Sequence, residues 1–219
     1  MPKSEFSRRK FLGFAGTASG LVVIAGCNKD EVVSPGTLDG VDLGSGDIGI
    51  LNYAYALEQL EAAFYTQVIM TQFSGISSPE ATLLTDIRDH EVAHREFFKT
   101  ALGDKAIQDL EVDFSSIDFS SRDSVLATAK AFEDLGVSAY NGAGRLIETA
   151  DYLVLAGKIV SVEARHAALI RDLISPGSFA DDTVINSDGL DGSRKPSEVL
   201  MIAQPYIKTV INGANLPTY

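Results

Sequence analysis

The chain has 219 residues, 45% of them hydrophobic and 22% charged, which is enough for one sizeable core and too little for two large domains. A formal net charge of -12 argues against nucleic acid as a partner and against electrostatic adsorption to anionic lipid. The single cysteine, Cys27, excludes a disulfide within the chain.

The N-terminus is not part of the folded domain. Arg8, Arg9 and Lys10 precede an apolar, Gly/Ala-rich run from Phe11 to Gly26, the pattern of an export signal. Sixteen residues without helix caps make a poor membrane span. Ser7-Arg8-Arg9-Lys10-Phe11-Leu12 resembles the twin-arginine motif that exports proteins already folded. Ile24-Ala25-Gly26-Cys27 resembles a bacterial lipobox, which implies cleavage before Cys27 and lipidation of its thiol. Loss of residues 1–26 removes four basic residues and one acidic one, taking the net charge from -12 to -15. The expectation is therefore a protein held at the envelope membrane by acyl chains, facing the periplasm or the cell surface. Asn28-Lys29-Asp30-Glu31 weakly resembles the charged signals that place some lipoproteins on the outer surface.

Residues 27–46, with Ser34-Pro35-Gly36 and Gly44-Ser45-Gly46, carry little apolar periodicity and are expected to form a lipidated tether. Four amphipathic helices are expected over residues 47–175. In the first, Asp47 is a candidate N-cap and the stripe is Leu51, Tyr55, Glu58, Ala62, Tyr65, Ile69. The second opens with Ser78 as cap and Pro79 at the first position, carries Leu84, Ile87, Glu91, His94, Phe98 and Leu102, and stops at Gly103. Asp104–Ser121 has no sustained period and is long enough to run the length of a bundle. A third helix is expected from Arg122 to Glu148, with stripe Leu126, Ala129, Glu133, Gly136, Tyr140, Gly144, Ile147. A fourth runs from Asp151 to Ile174, with stripe Leu155, Ile159, Glu163, His166, Ile170, Leu173, before Ser175-Pro176-Gly177. Short links make each consecutive pair an antiparallel hairpin. The tail, residues 176–219, is loop-rich with one short helix expected over Ser197–Gln204 that packs on the bundle.

Glu91-x-x-His94 and Glu163-x-x-His166 place a carboxylate and an imidazole on one helix face, one turn apart, where both can reach one metal ion. One such pair is most often a solvated face or a local ion pair. Two pairs, together with Glu58 and Glu133 on the other two helices, point instead to a dimetal site, because two divalent ions supply +4 against four buried carboxylates. Mixed carboxylate and imidazole donors suit iron or manganese, and spacing does not separate these from zinc. His90 lies outside the stripe and is expected at the surface. Gly136, Gly142 and Gly144 are expected to allow close helix packing.

Residues 47–175 resemble the ferritin-like superfamily. Leu51-Asn52 with Glu58-Gln59-Leu60-Glu61-Ala62-Ala63-Phe64-Tyr65, and Glu163-Ala164-Arg165-His166-Ala167, resemble its desiccation-related, periplasmic branch. The resemblance implies an all-α, ferritin-like four-helix bundle with a long connection between the second and third helices, and a carboxylate-bridged centre of two ions. Glu58, Glu91, His94, Glu133, Glu163 and His166 would be its ligands, and its chemistry would be two-electron reactions with dioxygen or peroxide. Ferritin-like oxidases carry a tyrosine two turns after the first glutamate. Glu58 with Tyr65 matches, and Glu133 with Tyr140 repeats the spacing, so both tyrosines are candidates for a supporting or catalytic role beside the ligands. Glu61 is an alternative ligand, a hydrogen-bond acceptor behind the ligands, or a structural carboxylate paired with Arg145 or Arg165. Family members often place an aspartate before each E-x-x-H glutamate to orient the opposite histidine; here those positions are His90 and Val162. That departure keeps open a non-enzymatic reading, a stress or envelope scaffold on the same bundle, whereas a lipid anchor and long tail fit poorly with a closed iron-storage shell.

Overall fold

The computed structural model describes residues 40–219; the expected export signal, Cys27 and residues 28–39 lie outside them. Four long helices pack pairwise: α1 (Gly46–Thr71), α2 (Ser78–Leu102), α3 (Arg122–Gly144) and α4 (Ala150–Ile174). A short α5 (Pro196–Ala203) follows, and β1 (Val41–Asp42) pairs in parallel with β2 (Ile211–Asn212). The part of the expected tether within the described residues is therefore packed rather than free, and Leu43 is completely buried. Among the described residues no helix is long and apolar enough to cross a membrane.

Local chemistry sets the helix ends, with three shifts from expectation. Ser77, not Ser78, caps α2, its hydroxyl accepting from the Glu80 N–H at 3.3 Å ahead of Pro79. Ser121 caps α3 in the same way through Ser124. Asp47 does not cap α1. It lies in the first turn, and its carboxylate accepts from the N–H groups of Glu148 and Thr149 at 2.8 and 2.9 Å. That clamp belongs to the third difference, because α3 ends at Gly144 and residues 145–149 form the turn into α4. A charge reaching across the bundle satisfies N–H groups that a longer α3 would have satisfied internally.

The long connection runs down the side of α1. Asn52, buried on α1, donates to Leu43 O and Lys105 O and accepts from the Ile107 N–H at 3.0 Å. Two turns on, Gln59 accepts from the Leu110 N–H at 2.7 Å. Phe114 and Phe119 then close on the Phe64 ring, at centroid distances of 6.0 and 5.9 Å. Two buried amides thus replace the strand or helix partners that irregular backbone lacks. The chain arrives at the far end of the bundle, where Arg122 bonds Glu80 at 2.8 Å and donates to Leu173 O. α2 and α3 are therefore parallel to each other, and α1 and α4 run the opposite way.

One of the three glycines expected to allow close helix packing serves another neighbour. A Cβ on Gly142 would stand 1.7 Å from the Arg194 carbonyl oxygen, so the absent side chain admits tail backbone against α3. Arg194 N–H completes that contact by donating to Ser138 O at 2.9 Å. A Cβ on Gly136 would stand 3.1 Å from a Glu61 carboxylate oxygen. At Gly136, against Glu61 of α1, and at Gly144, beside Leu153 of α4, the contact is between helices.

Candidate metal centre

All six expected ligands converge at mid-bundle. Glu58 comes from α1, Glu91 and His94 from α2, Glu133 from α3, and Glu163 and His166 from α4. The four carboxylates are 0% exposed. They form two overlapping groups, Glu58/Glu91/His94/Glu163 and Glu91/Glu133/Glu163/His166, within each of which one donor atom per residue lies within 4.8 Å of the others. Glu91 and Glu163 belong to both.

The two groups are near copies. His94 Nδ1 is 2.8 Å from Glu163, 3.4 Å from Glu58 and 3.7 Å from Glu91. His166 Nδ1 is 2.8 Å from Glu91, 3.5 Å from Glu163 and 3.6 Å from Glu133. Outside the groups, Tyr65 of α1 donates its hydroxyl to Glu133 Oε1 on α3 at 2.5 Å, and Tyr140 of α3 donates to Glu58 Oε1 on α1. Each tyrosine thus holds the glutamate of the opposite helix.

Close approach here is not hydrogen bonding. Glu58 Oε2, both oxygens of Glu91 and of Glu163, Glu133 Oε2 and the Nδ1 atoms of both histidines are buried without an aligned partner. These eight atoms crowd together without a satisfied hydrogen bond, in a protein interior where such atoms are normally satisfied. A cation that accepts oxygen and nitrogen donors together is what this set fits. The donor chemistry and the orphaned atoms make it a buried Glu/His group able to hold metal.

Proton affinities reflect the same crowding. Burial opposes charge on His94, yet Glu163, Glu58 and Glu91 override it and push the imidazole up to about 12. His166 is likewise pushed up to about 12, by Glu133, Glu163 and Glu91 against the effect of burial. Glu91, although burial works to raise it, is held down at about 2 by the two histidines. Burial lifts Glu133 to about 8 against the pull of His166, and burial with the charge of Glu163 lifts Glu58 well above the carboxylate range. Without a cation, the imidazolium rings are the counter-charges, a role that a bound cation would take over.

Glu61 is buried but belongs to neither donor group, and neither Arg145 nor Arg165 pairs with it among the described residues. Its carboxyl lies against Gly136, and burial followed by the charges of Glu91 and Glu133 raises its proton affinity well above normal. His90 is exposed, as expected, but is not a bystander. Its Nδ1 lies 2.9 Å from His166 Nε2, with the rings 8° from parallel. The signal for it was its position one residue before Glu91, where related sites carry an orienting aspartate. Here that position carries an imidazole, which the approach of α4 brings to His166.

The ferritin-like domain family matches residues 46–176, which span α1 through α4 and every residue of the centre. The chain belongs to that family. No curated protein shows a significant match to it.

Proposed function

We propose that this is an exported, lipid-anchored ferritin-like protein of the desiccation-related kind, holding two divalent metal ions, iron or alternatively manganese, and acting on dioxygen or peroxide in stress protection. The observation that supports it most is the set of eight orphaned donor atoms at the middle of a tightly packed bundle. Burying four unpaired carboxylates costs several kcal/mol each, and two divalent ions balance them. Glu91 and Glu163, shared by both groups, would hold both ions. Glu58 and Glu133 have one oxygen tied to a tyrosine and one free, and His94 and His166 complete the ends. When loaded, such a pair supplies two-electron chemistry with dioxygen or peroxide. The chain's part is to hold the ligands in register through Tyr65 and Tyr140, to exclude bulk water, and to fix the His166 ring through His90. Export and anchoring rest on Ser7–Leu12 and Ile24–Cys27, which lie outside the described residues.

The full chain, purified without chelator, is expected to carry close to two transition-metal ions, and the ferrous protein is expected to turn over peroxide or dioxygen while Glu91→Ala does not. Metal content near zero after anaerobic reconstitution with ferrous and manganous ions would leave the bundle as a scaffold. Wild type is expected in the membrane fraction and Cys27→Ala in the soluble one. Soluble, full-length wild type would refute the anchor.

A further inference from the structure

The centre reads almost identically when α1 and α2 are exchanged with α3 and α4. Glu58 answers to Glu133, Tyr65 to Tyr140, Glu91 to Glu163 and His94 to His166. Two positions break the correspondence. His90, one residue before Glu91, answers to Val162, and Glu61, three after Glu58, answers to Gly136. Both departures fall on the same side. His90 bonds His166, and the carboxyl of Glu61 lies against Gly136, one turn from Glu133, which belongs only to the His166 group.

The His90 contact fits one protonation pattern of a metal-bound ring. His166 Nδ1 faces the carboxylates, and with a metal there it would carry no proton, so the remaining proton would sit on Nε2 and be donated to His90 Nδ1 at 2.9 Å. An imidazole held this way has its ring orientation set before metal arrives, and donation to an acceptor makes the ligating nitrogen more basic. On the other side Val162 offers His94 no acceptor, and the His94 side chain is 14% exposed.

We infer that His90 is the positioning residue for His166 and that it makes the two metal positions unequal, the Glu91/Glu133/Glu163/His166 position taking its ion first and holding it more tightly. The inference rests on the two-ion reading above.

The test is an anaerobic Co(II) titration of the chelator-stripped full chain, followed by calorimetry and by the visible ligand-field absorption of the ion. Wild type is expected to fill in two resolved steps of one ion each. His90→Ala should weaken the tighter step by about ten- to a hundredfold and alter the absorption of the first equivalent, leaving the weaker step unchanged. His90→Gln, whose amide oxygen can accept from Nε2–H, should recover most of the loss, which a merely structural role would not produce. Equal steps in wild type, a His90→Ala titration superimposable on wild type, or a His90→Gln protein as impaired as His90→Ala would each overturn the inference and leave two-ion binding standing. Failure of the wild type to bind any Co(II) would overturn the two-ion reading and this inference with it.

Discussion

Replacing Tyr65 with phenylalanine deletes one oxygen and keeps the ring, which packs edge-on against Phe64 at 5.1 Å. The hydroxyl that is lost donates to Glu133 Oε1 at 2.5 Å, beside a second Glu133 oxygen that already lacks a partner. A hydrogen bond to a charged group contributes about 1.5–3 kcal/mol, and each 1.36 kcal/mol is a factor of ten, so metal binding is expected to weaken about ten- to a hundredfold. Tyr140→Phe should act equally on Glu58, because the two contacts are crossed copies. Tyr53→Phe is the control. It removes the same atom from another buried tyrosine of α1, but that hydroxyl is buried without a partner, and burial holds its proton far above the usual range. Its loss should leave metal binding unchanged and stabilise the fold by about 1 kcal/mol or more, since an unsatisfied group is relieved. Calorimetric titration of the chelator-stripped proteins with Mn(II), and urea midpoints of the same samples, measure both effects. Wild-type affinity in Tyr65→Phe, or an equal loss in Tyr53→Phe, would refute the reasoning.

Glu58→Ala is expected to lose more metal on elemental analysis than Glu61→Ala, because only Glu58 belongs to a donor group; the reverse order would make Glu61 the α1 ligand. The metal-free protein should be most stable near pH 5 and weaken toward pH 8. Glu58, Glu61 and Glu133 keep protons in the fold that an unfolded chain releases above about pH 4.5, and His94 and His166 keep theirs above pH 6.5, so the folded state binds more protons throughout that window and stability falls with rising pH. Glu91, at about 2, contributes the opposite slope only below pH 4.5, and a higher urea midpoint at pH 8 than at pH 5 after chelation would contradict this. Asn52→Ala should cost about 1–3 kcal/mol and release the connection over residues 105–107, seen as faster amide exchange at Ile107; unchanged exchange would mean the apolar contacts alone hold it.

The four helices and the six donor residues were legible because both depend on local periodicity. Apolar spacing of three and four marks a buried face, and a Glu and a His three apart share that face however the helix is later packed. A buried stripe that contains carboxylates also demands its own compensation, so the metal reading needed no knowledge of neighbours. Features set by a neighbouring helix were not legible in the same way. That Asp47 clamps residues 148 and 149 rather than capping α1 depends on where the α3–α4 turn lands. Asn52 and Gln59 read as ordinary polar residues on a helix until the connection is laid against them. His90 stands beside its stripe at the surface, and whether its ring also reaches His166 is a matter of the register of α4 against α2. Residue type and helical period alone determined which atoms want a cation; the antiparallel crossing of α1 with α3 and the approach of α4 decided which of those atoms are held by Tyr65, Tyr140 and His90, because those contacts join residues 68 to 82 positions apart in the chain.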